Sequence, residues 1–376
     1  MLKKKIAILG STGSIGQSAL SVIGSHADKF EITALTAHTN ISLLKKQIAE
    51  FKPSYVALTG ECGFYADFPD FVTVKTGQDS VFEACLGADI VLLAIMGIAG
   101  LPAFEFCLNN RIPVALATKE AMVCGGRAAR ELMDKTGTPV LPVDSELSAI
   151  WQCLDGNTKG DVKRILLTAS GGPFREWTKE RIAKAGVSDA LNHPNWSMGK
   201  KITVDCATLA NKGLEIMETR WLFDMSPDQI TVVVHPESII HSMVEFKDNA
   251  ILAQLGDKDM RIPILHAISY PERLENCEPS LDIFGLGALH FERPDTGKFP
   301  CLALAYEAVK NDGALQLVFN SANEIAVELF LQGKIAFAKI YSMIERAMKS
   351  FSDVKVSSFA DVYGLDKEVR SFLAHM

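Results

Sequence analysis

Three features are missing from this 376-residue sequence: long runs of like charge, long apolar stretches and paired cysteines. Each absence removes a class of function. The only sustained basic run is Lys3, Lys4 and Lys5, and the formal net charge is −7 with a pI near 5.7. Neither nucleic acid nor an anionic membrane surface is therefore an expected partner. Those lysines precede only the short apolar run 6–9, which is too short for a signal peptide's hydrophobic region or a membrane span. The longest apolar stretch, 90–104, is broken by Gly97, Gly100 and Pro102. Cysteines stand at 62, 85, 107, 124, 153, 206, 277 and 301, with no C-x-x-C pair and no His-Cys zinc spacing. A soluble cytoplasmic chain with reduced, mostly buried thiols is expected.

What is present is ordinary globular material, 48% hydrophobic and 22% charged, and long enough for two or three domains. Residues 5–16, KIAILGSTGSIG, read as a strand, a glycine turn and the start of a helix. Gly10, Gly13 and Gly16 bring backbone N–H groups close to a pyrophosphate at the helix N-terminus. The NAD form of this fold ends its second strand on a carboxylate that binds the ribose 2′-hydroxyl. Here the strand 31–35 leads into Thr36, Ala37, His38, Thr39 and Asn40, with no acid, so NADP is favoured over NAD. Strand-like runs at 55–58, 72–74, 89–95, 113–116 and 139–143 alternate with helical runs at 43–51, 81–86 and 126–135. That alternation predicts a Rossmann-like, doubly wound parallel sheet of about 150 residues.

Ligands of such sheets bind beyond the carboxyl ends of the strands, and two ends are chemically loaded. One runs into Thr118, Lys119 and Glu120, the other into Asp144, Ser145 and Glu146. Two residues apart in extended backbone, Asp144 and Glu146 would point to one side, where they either shift each other's pKa or hold a divalent cation. Further on, Ser170 precedes Gly171 and Gly172, which suits either an anion site or a hinge. The polar span after it can close as a lid carrying His193, Trp196 and Met198. The stretch 192–218 reads as a strand feeding a helix that begins near Thr208. Asn211, Lys212 and Glu215 then share about one turn, with Asn211 and Glu215 on one face. An amide, a cation and a carboxylate at a positive helix end suit a phosphate and, beside it, a metal.

The strand 230–234 and a hairpin pairing 243–246 with 251–255 suggest an α+β middle domain, in which His241 is a packed or supporting residue. Residues 270–297 have the composition of a linker, and the chain from 301 repeats apolar residues at helical spacing, as a small bundle. The expected division is a cofactor domain over 1–143, a catalytic domain over 144–269 with a lid at about 170–200, a linker over 270–299 and a helical bundle over 300–376.

GSTGSIG at 10–16, ATKE at 117–120, VDSE at 143–146, SGGPF at 170–174, HPNWSMG at 193–199 and NKGLE at 211–215 together closely resemble the 1-deoxy-D-xylulose 5-phosphate reductoisomerase family. HPESIIHSM near 240 and ANEIAV near 325 extend the likeness over nearly the whole chain. The resemblance implies an enzyme of the non-mevalonate isoprenoid pathway. It would rearrange 1-deoxy-D-xylulose 5-phosphate to an aldehyde and reduce that with NADPH to 2-C-methyl-D-erythritol 4-phosphate. It also implies that Asp144, Glu146 and Glu215 hold Mg²⁺, Mn²⁺ or Co²⁺, which would polarise the substrate carbonyl. Ser170, Asn211 and Lys212 are implied to bind phosphate, while Lys119, Ser145, Glu146 and His193 contact the rest of the substrate. Trp196 and Met198 would cover it. Gly10, Thr12, Gly13, Ser14, Ile15 and Gly16 match the pyrophosphate loop, and Thr118, Glu120 and Gly199 match further cofactor contacts. A homodimer is likewise implied.

Two positions depart from the family pattern. Cys206 stands where well-studied members have a phosphate-contacting serine, and a thiol is a weak donor. His38 and Thr39 precede Asn40 where many members have a glycine and a basic residue. Two other readings compete with the resemblance. A simple NADP-dependent dehydrogenase of the semialdehyde or homoserine type would need no three-carboxylate site. An idle NADP-binding scaffold would be expected to have lost an acid at 144, 146 or 215, or Lys212, and none is lost. Neither explains a phosphate site paired with a metal site.

Overall fold

In a computed structural model the described residues are 2–60, 68–196, 198–276, 278–311 and 314–375. Cys62 and Cys277, and Ser197 of the HPNWSMG motif, lie outside them. The chain divides into two compact units, Met1–Ala121 with Glu131–Ser148 and Asp259–Pro279, and Met122–Arg130 with Ala149–Lys258 and Ser280–Met376.

The first half of the chain runs β1 (Lys4–Leu9), α1 (Ser14–Ser25), β2 (Phe30–Ala37), α2 (Ile41–Phe51), β3 (Tyr55–Leu58), β4 (Thr73–Thr76), α3 (Ser80–Cys85), β5 (Ile90–Leu93), α4 (Leu101–Asn109), β6 (Val114–Leu116), α5 (Lys119–Thr136), β7 (Val140–Pro142) and α6 (Ser145–Leu154). The seven strands form one parallel sheet in the order β4-β3-β2-β1-β5-β6-β7. Strand order reverses at β1, which puts the ligand-binding crevice of this fold over the turn that follows it. Ile6, Ile8, Leu35, Leu58 and Leu92 are fully buried in the sheet. Each such side chain stabilises by about 1.5–3 kcal/mol, so the strands stand as a rigid support. The helix expected over 126–135 is longer and kinked: α5 starts at Lys119, and Gly126 breaks its backbone at φ +45° beside the Trp221 indole. A glycine is what permits that turn, and it also hid the helix's first half from sequence periodicity.

The chain continues with β8 (Val162–Ala169), α7 (Lys179–Ile182), α8 (Val187–Ala190), α9 (Lys200–Thr208), α10 (Ala210–Phe223), β9 (Ile230–Val234), β10 (Ile240–Phe246), β11 (Ile251–Leu255), α11 (Arg261–Ser269), α12 (Pro300–Lys310), α13 (Leu315–Leu331), α14 (Phe337–Ser350) and α15 (Phe359–Ala374). In the first unit, α11 packs Ile264, Ala267 and Ile268 into the core of the parallel sheet. In the second unit a mixed sheet has the order β11-β10-β8-β9, with β10 antiparallel to both neighbours and β8 parallel to β9. The expected hairpin is β10–β11, and the expected C-terminal bundle is α12–α15. Edge strand β11 leaves Ile251, Leu252 and Leu255 exposed. Among the described residues no helix is long and apolar enough to cross a membrane.

Two sequence expectations are corrected. Residues 200–208 form α9, not a strand. The β-branched Ile202, Thr203 and Val204 suggest a strand, but the buried positions Thr203, Val204, Ala207 and Thr208 recur at helical spacing. Asp144 and Glu146 do not share an extended segment either, because β7 ends at Pro142 and α6 starts at Ser145. Their common direction cannot come from strand alternation.

Candidate active site

In the first unit the turn after β1 is built almost wholly from backbone. Gly10 has φ +90°, and a Cβ there would lie 2.6 Å from the Ala94 carbonyl oxygen. At Gly16 a Cβ would lie 2.5 Å from the Gly10 carbonyl oxygen, so α1 reaches the turn only with glycine in that place. The Gly10 N–H donates to Thr36 Oγ1 at 2.9 Å and the Ser11 N–H to the Thr36 carbonyl at 2.8 Å, which ties the turn to β2. Gly13 caps α1, and Thr12, Ser14 and Ile15 surround its first N–H groups, where a helix dipole favours an anion. Of the segment after β2, His38, Thr39 and Asn40 are exposed. His38 Nδ1 lies 3.0 Å from Thr59 Oγ1, and Asn40 caps α2 by accepting from the Leu43 N–H at 3.2 Å.

Thr118 donates its hydroxyl to the Ile95 carbonyl at 2.6 Å, bracing the end of β5. Lys119 and Glu120 open α5, with Lys119 almost fully buried. Its ammonium lies 2.7 Å from Asp144 Oδ2. Asp144 in turn receives the Ser145 N–H on Oδ1 at 3.1 Å, and Ser145 donates its hydroxyl to Glu146 Oε2 at 2.6 Å. Lys119, Asp144, Ser145 and Glu146 are thus one chain of polar contacts, joining two strand ends that are distant in sequence.

In the second unit α9 and α10 meet at Leu209, a buried non-glycine residue in the left-handed region at φ +58°. That conformation is costly for leucine and persists where packing over-determines it. Asn211 and Lys212 fall in the first turn of α10 and Glu215 one turn later, all buried. Asn211 donates to Glu215 Oε1 at 2.6 Å, and Lys212 pairs with Oε2. Gly213 lets α10 lie close to α12, since a Cβ there would meet the Ala305 Cβ at 2.5 Å. Cys206 is a half-buried thiol near the end of α9. Its carbonyl oxygen would stand 2.4 Å from a Cβ on Gly172, so the loop after β8 rests directly on this corner.

Ser170, Gly171 and Gly172 follow β8, with both glycines at positive φ. Ser170 Oγ lies 3.1 Å from His193 Nε2 and accepts the Gly172 N–H at 3.3 Å. Burial pushes the His193 imidazole below its usual pKa. The Trp196 ring sits 6.3 Å from that of His241, which also contacts the Asp257 carbonyl. Met198 is half-buried, and Gly199 caps α9.

Two supporting residues escape the sequence reading. Gln47 on α2 accepts from Ser11 Oγ at 2.7 Å and donates back to the Ser11 carbonyl at 2.9 Å. Its signal is a polar residue on a buried helix face between Leu44 and Ile48. Asn195 donates to the Pro236 carbonyl at 2.6 Å and to Ser238 Oγ at 3.1 Å, fastening the turn it stands in to the segment after β9. That contact is long-range and leaves no local trace.

Known proteins give a consistent answer. Family models described as 1-deoxy-D-xylulose 5-phosphate reductoisomerase, its C-terminal domain and the DXP reductoisomerase C-terminal domain match residues 6–126, 140–223 and 255–372. A 1-deoxy-D-xylulose 5-phosphate reductoisomerase from Thermoanaerobacter pseudethanolicus is 48% identical over 99% of this chain and 98% of its own. One from Chloroherpeton thalassium is 46% identical over 98% and 97%. The Zymomonas mobilis enzyme solved in complex with NADPH superposes with a TM-score of 0.93 at 39% identity, over 100% of this chain and 99% of its own. A DOX-P reductoisomerase solved with NADPH, fosmidomycin and magnesium has a TM-score of 0.90 at 36% identity, over 99% and 98%.

Proposed function

The chain belongs to the 1-deoxy-D-xylulose 5-phosphate reductoisomerase family, and we propose on that ground that it rearranges 1-deoxy-D-xylulose 5-phosphate and reduces the product to 2-C-methyl-D-erythritol 4-phosphate. NADPH, with which two relatives were solved in complex, supplies the hydride. One observation carries the reading to these residues. Glu215 is fully buried, and its two oxygens are held by Asn211 and Lys212 at the start of α10. Burying a paired carboxylate carries a desolvation cost that a structural role seldom repays, which supports a functional role for it.

Asp144, Glu146 and Glu215 hold the divalent metal. The donors are all carboxylates, a hard-oxygen set suited to magnesium or manganese, with cobalt a further candidate. Asp144 already faces the Lys119 ammonium at 2.7 Å, which supports reading it as a cation-facing carboxylate. Bound there, a divalent ion supplies Lewis acidity toward the substrate's oxygens. The protein's own groups do the rest. Ser170, Asn211 and Lys212 take the phosphate, with Cys206 adding backbone more than thiol. Lys119 and Ser145 orient the carbon skeleton and its hydroxyls, and His193 stands against Ser170 at the phosphate end. Trp196 and Met198 exclude water from the hydride step. The glycine turn, residues 38–40, Thr118, Glu120 and Gly199 hold NADPH.

The functional division that goes with this reading assigns cofactor binding to 1–143, chemistry to 144–269, a linker to 270–299 and a supporting bundle to 300–376, with α11 of the middle segment packed on the parallel sheet. The protein acts in the cytoplasm as a homodimer, supplying isoprenoid precursors. The apolar edge strand β11 supports pairing with a second copy, since a bare apolar edge invites another chain.

The test is NADPH consumption with 1-deoxy-D-xylulose 5-phosphate, before and after EDTA and with Mg²⁺ or Mn²⁺ restored, for the wild type and Glu215→Gln. Metal-dependent turnover that collapses in the variant is the expected result. Intact NADPH binding with no turnover under any metal would sink the reading and leave a simple dehydrogenase in first place.

A further inference from the structure

We propose that His193 is a positioning residue for the Ser170 hydroxyl: a neutral imidazole protonated on Nε2, whose two ring nitrogens hold different partners. The hydrogen bonds fix the tautomer. Nδ1 accepts two backbone donors, the N–H of Asn195 at 3.2 Å and of Trp196 at 3.0 Å. A nitrogen facing two N–H groups cannot carry a proton of its own. A neutral ring must then be protonated on Nε2, and that N–H donates to Ser170 Oγ at 3.1 Å.

The consequence falls on Ser170. Its oxygen accepts from His193 Nε2 and from the Gly172 N–H at 3.3 Å, and among the described residues it donates to nothing. With both lone pairs directed at protein donors, the single hydroxyl proton has one direction left, away from the protein and toward an incoming acceptor. Ser170 is therefore preorganised as a donor to an anion rather than left to rotate. The same ring closes the lid turn 193–196, which Asn195 fastens to the turn after β9 through the Pro236 carbonyl and Ser238 Oγ. One imidazole thus sets both the phosphate donor and the shape of the segment over it. Burial, which lowers the pKa of this ring, works in the same direction by keeping it neutral.

The inference rests on the proposed phosphate role of Ser170, and the experiment separates the two. Nitrogen-15 NMR of the full-length protein, with the ring assigned through its loss in His193→Asn, reads the tautomer without any turnover. A neutral Nε2–H ring at neutral pH is expected. An Nδ1–H or charged ring overturns the proposal, whatever the enzyme does. The kinetic arm uses Ser170→Ala, His193→Asn and the double variant with 1-deoxy-D-xylulose 5-phosphate. Asparagine keeps an acceptor near the position of Nδ1 but has no Nε2–H. His193→Asn is therefore expected to raise KM about tenfold, the scale of one hydrogen bond to a charged group, and to add almost nothing in the Ser170→Ala background. Additive effects would show that His193 does not act through Ser170, and so would overturn the positioning role. An unchanged KM in Ser170→Ala would refute the phosphate reading of Ser170 while leaving the tautomer result standing. His193→Gln, which keeps a donor but not the turn acceptor, should retain more of the wild-type KM than His193→Asn and lose more kcat.

Discussion

The two anion sites proposed for this molecule are built in opposite ways. The turn after β1 offers backbone N–H groups at the start of α1 and contributes no charged side chain from Gly10 to Gly16. The corner before α10 offers Asn211 and Lys212, both buried, with the Glu215 carboxylate already paired to them. The first site depends on what its residues lack, since a Cβ at Gly10 or Gly16 would strike the backbone. The second depends on what its side chains carry. A backbone site is therefore robust to side-chain loss and fragile to side-chain gain, and the buried polar site is the reverse.

The largest expected effect is at Lys212. Replacing it by methionine removes the cation paired with the buried Glu215 carboxylate, so stability in urea unfolding should fall by about 3–5 kcal/mol. The double variant Lys212→Met with Glu215→Gln should recover most of that loss, and no recovery would mean that the pair is not electrostatically coupled. Next comes Gly16→Val, whose Cβ falls 2.5 Å from the Gly10 oxygen. A fluorescence titration should show NADPH affinity lower by roughly two orders of magnitude, about 2.7 kcal/mol, while inorganic phosphate or substrate binding in the second unit stays intact. Gln47→Leu takes the amide donor from the buried Ser11 carbonyl, while the Ser11 hydroxyl keeps the Thr36 carbonyl as acceptor, and should cost about 1–3 kcal/mol, the penalty for an unsatisfied buried group, visible as a lower Tm that NADPH partly restores.

Acid sharpens the contrast further. The folded His193 pKa lies below the ordinary imidazole value of about 6.5. Its contribution is therefore full above that value and is lost as pH falls toward the lowered one. Protection of the Asn195 and Trp196 amides, measured against the intrinsic exchange rate at each pH, should fall over that range, and that of Gly13 should not. An equal loss of protection at both sites would erase the distinction. The smallest effect is expected for Thr12→Ala and Ser14→Ala, which remove side chains from a backbone site and should change NADPH affinity only a few-fold.

The same contrast explains what was legible in the sequence. Backbone sites announce themselves locally: glycine spacing between a strand and a helix placed the turn after β1, and the strand alternation gave the parallel sheet. The acids at 144, 146 and 215 were legible as residue types, but not the backbone that carries them. Asp144 and Glu146 stand at a helix start rather than in a strand, and the β-branched run before Asn211 is α9. Local composition favoured an extended reading, and burial on one helical face overrode it. Asn195 and the Lys119–Asp144 pair depend on segments far apart in the chain, so no local pattern records them.

The reciprocal Ser11–Gln47 pair has a thermodynamic consequence. It ties the glycine turn to α2 by two buried hydrogen bonds, so the loop meets its ligand with most of its backbone freedom already surrendered in folding. Binding of a dinucleotide should then carry little ordering entropy from the protein. Calorimetry should record a heat-capacity change no larger than the surface covered by the ligand, with no contribution from a folding loop.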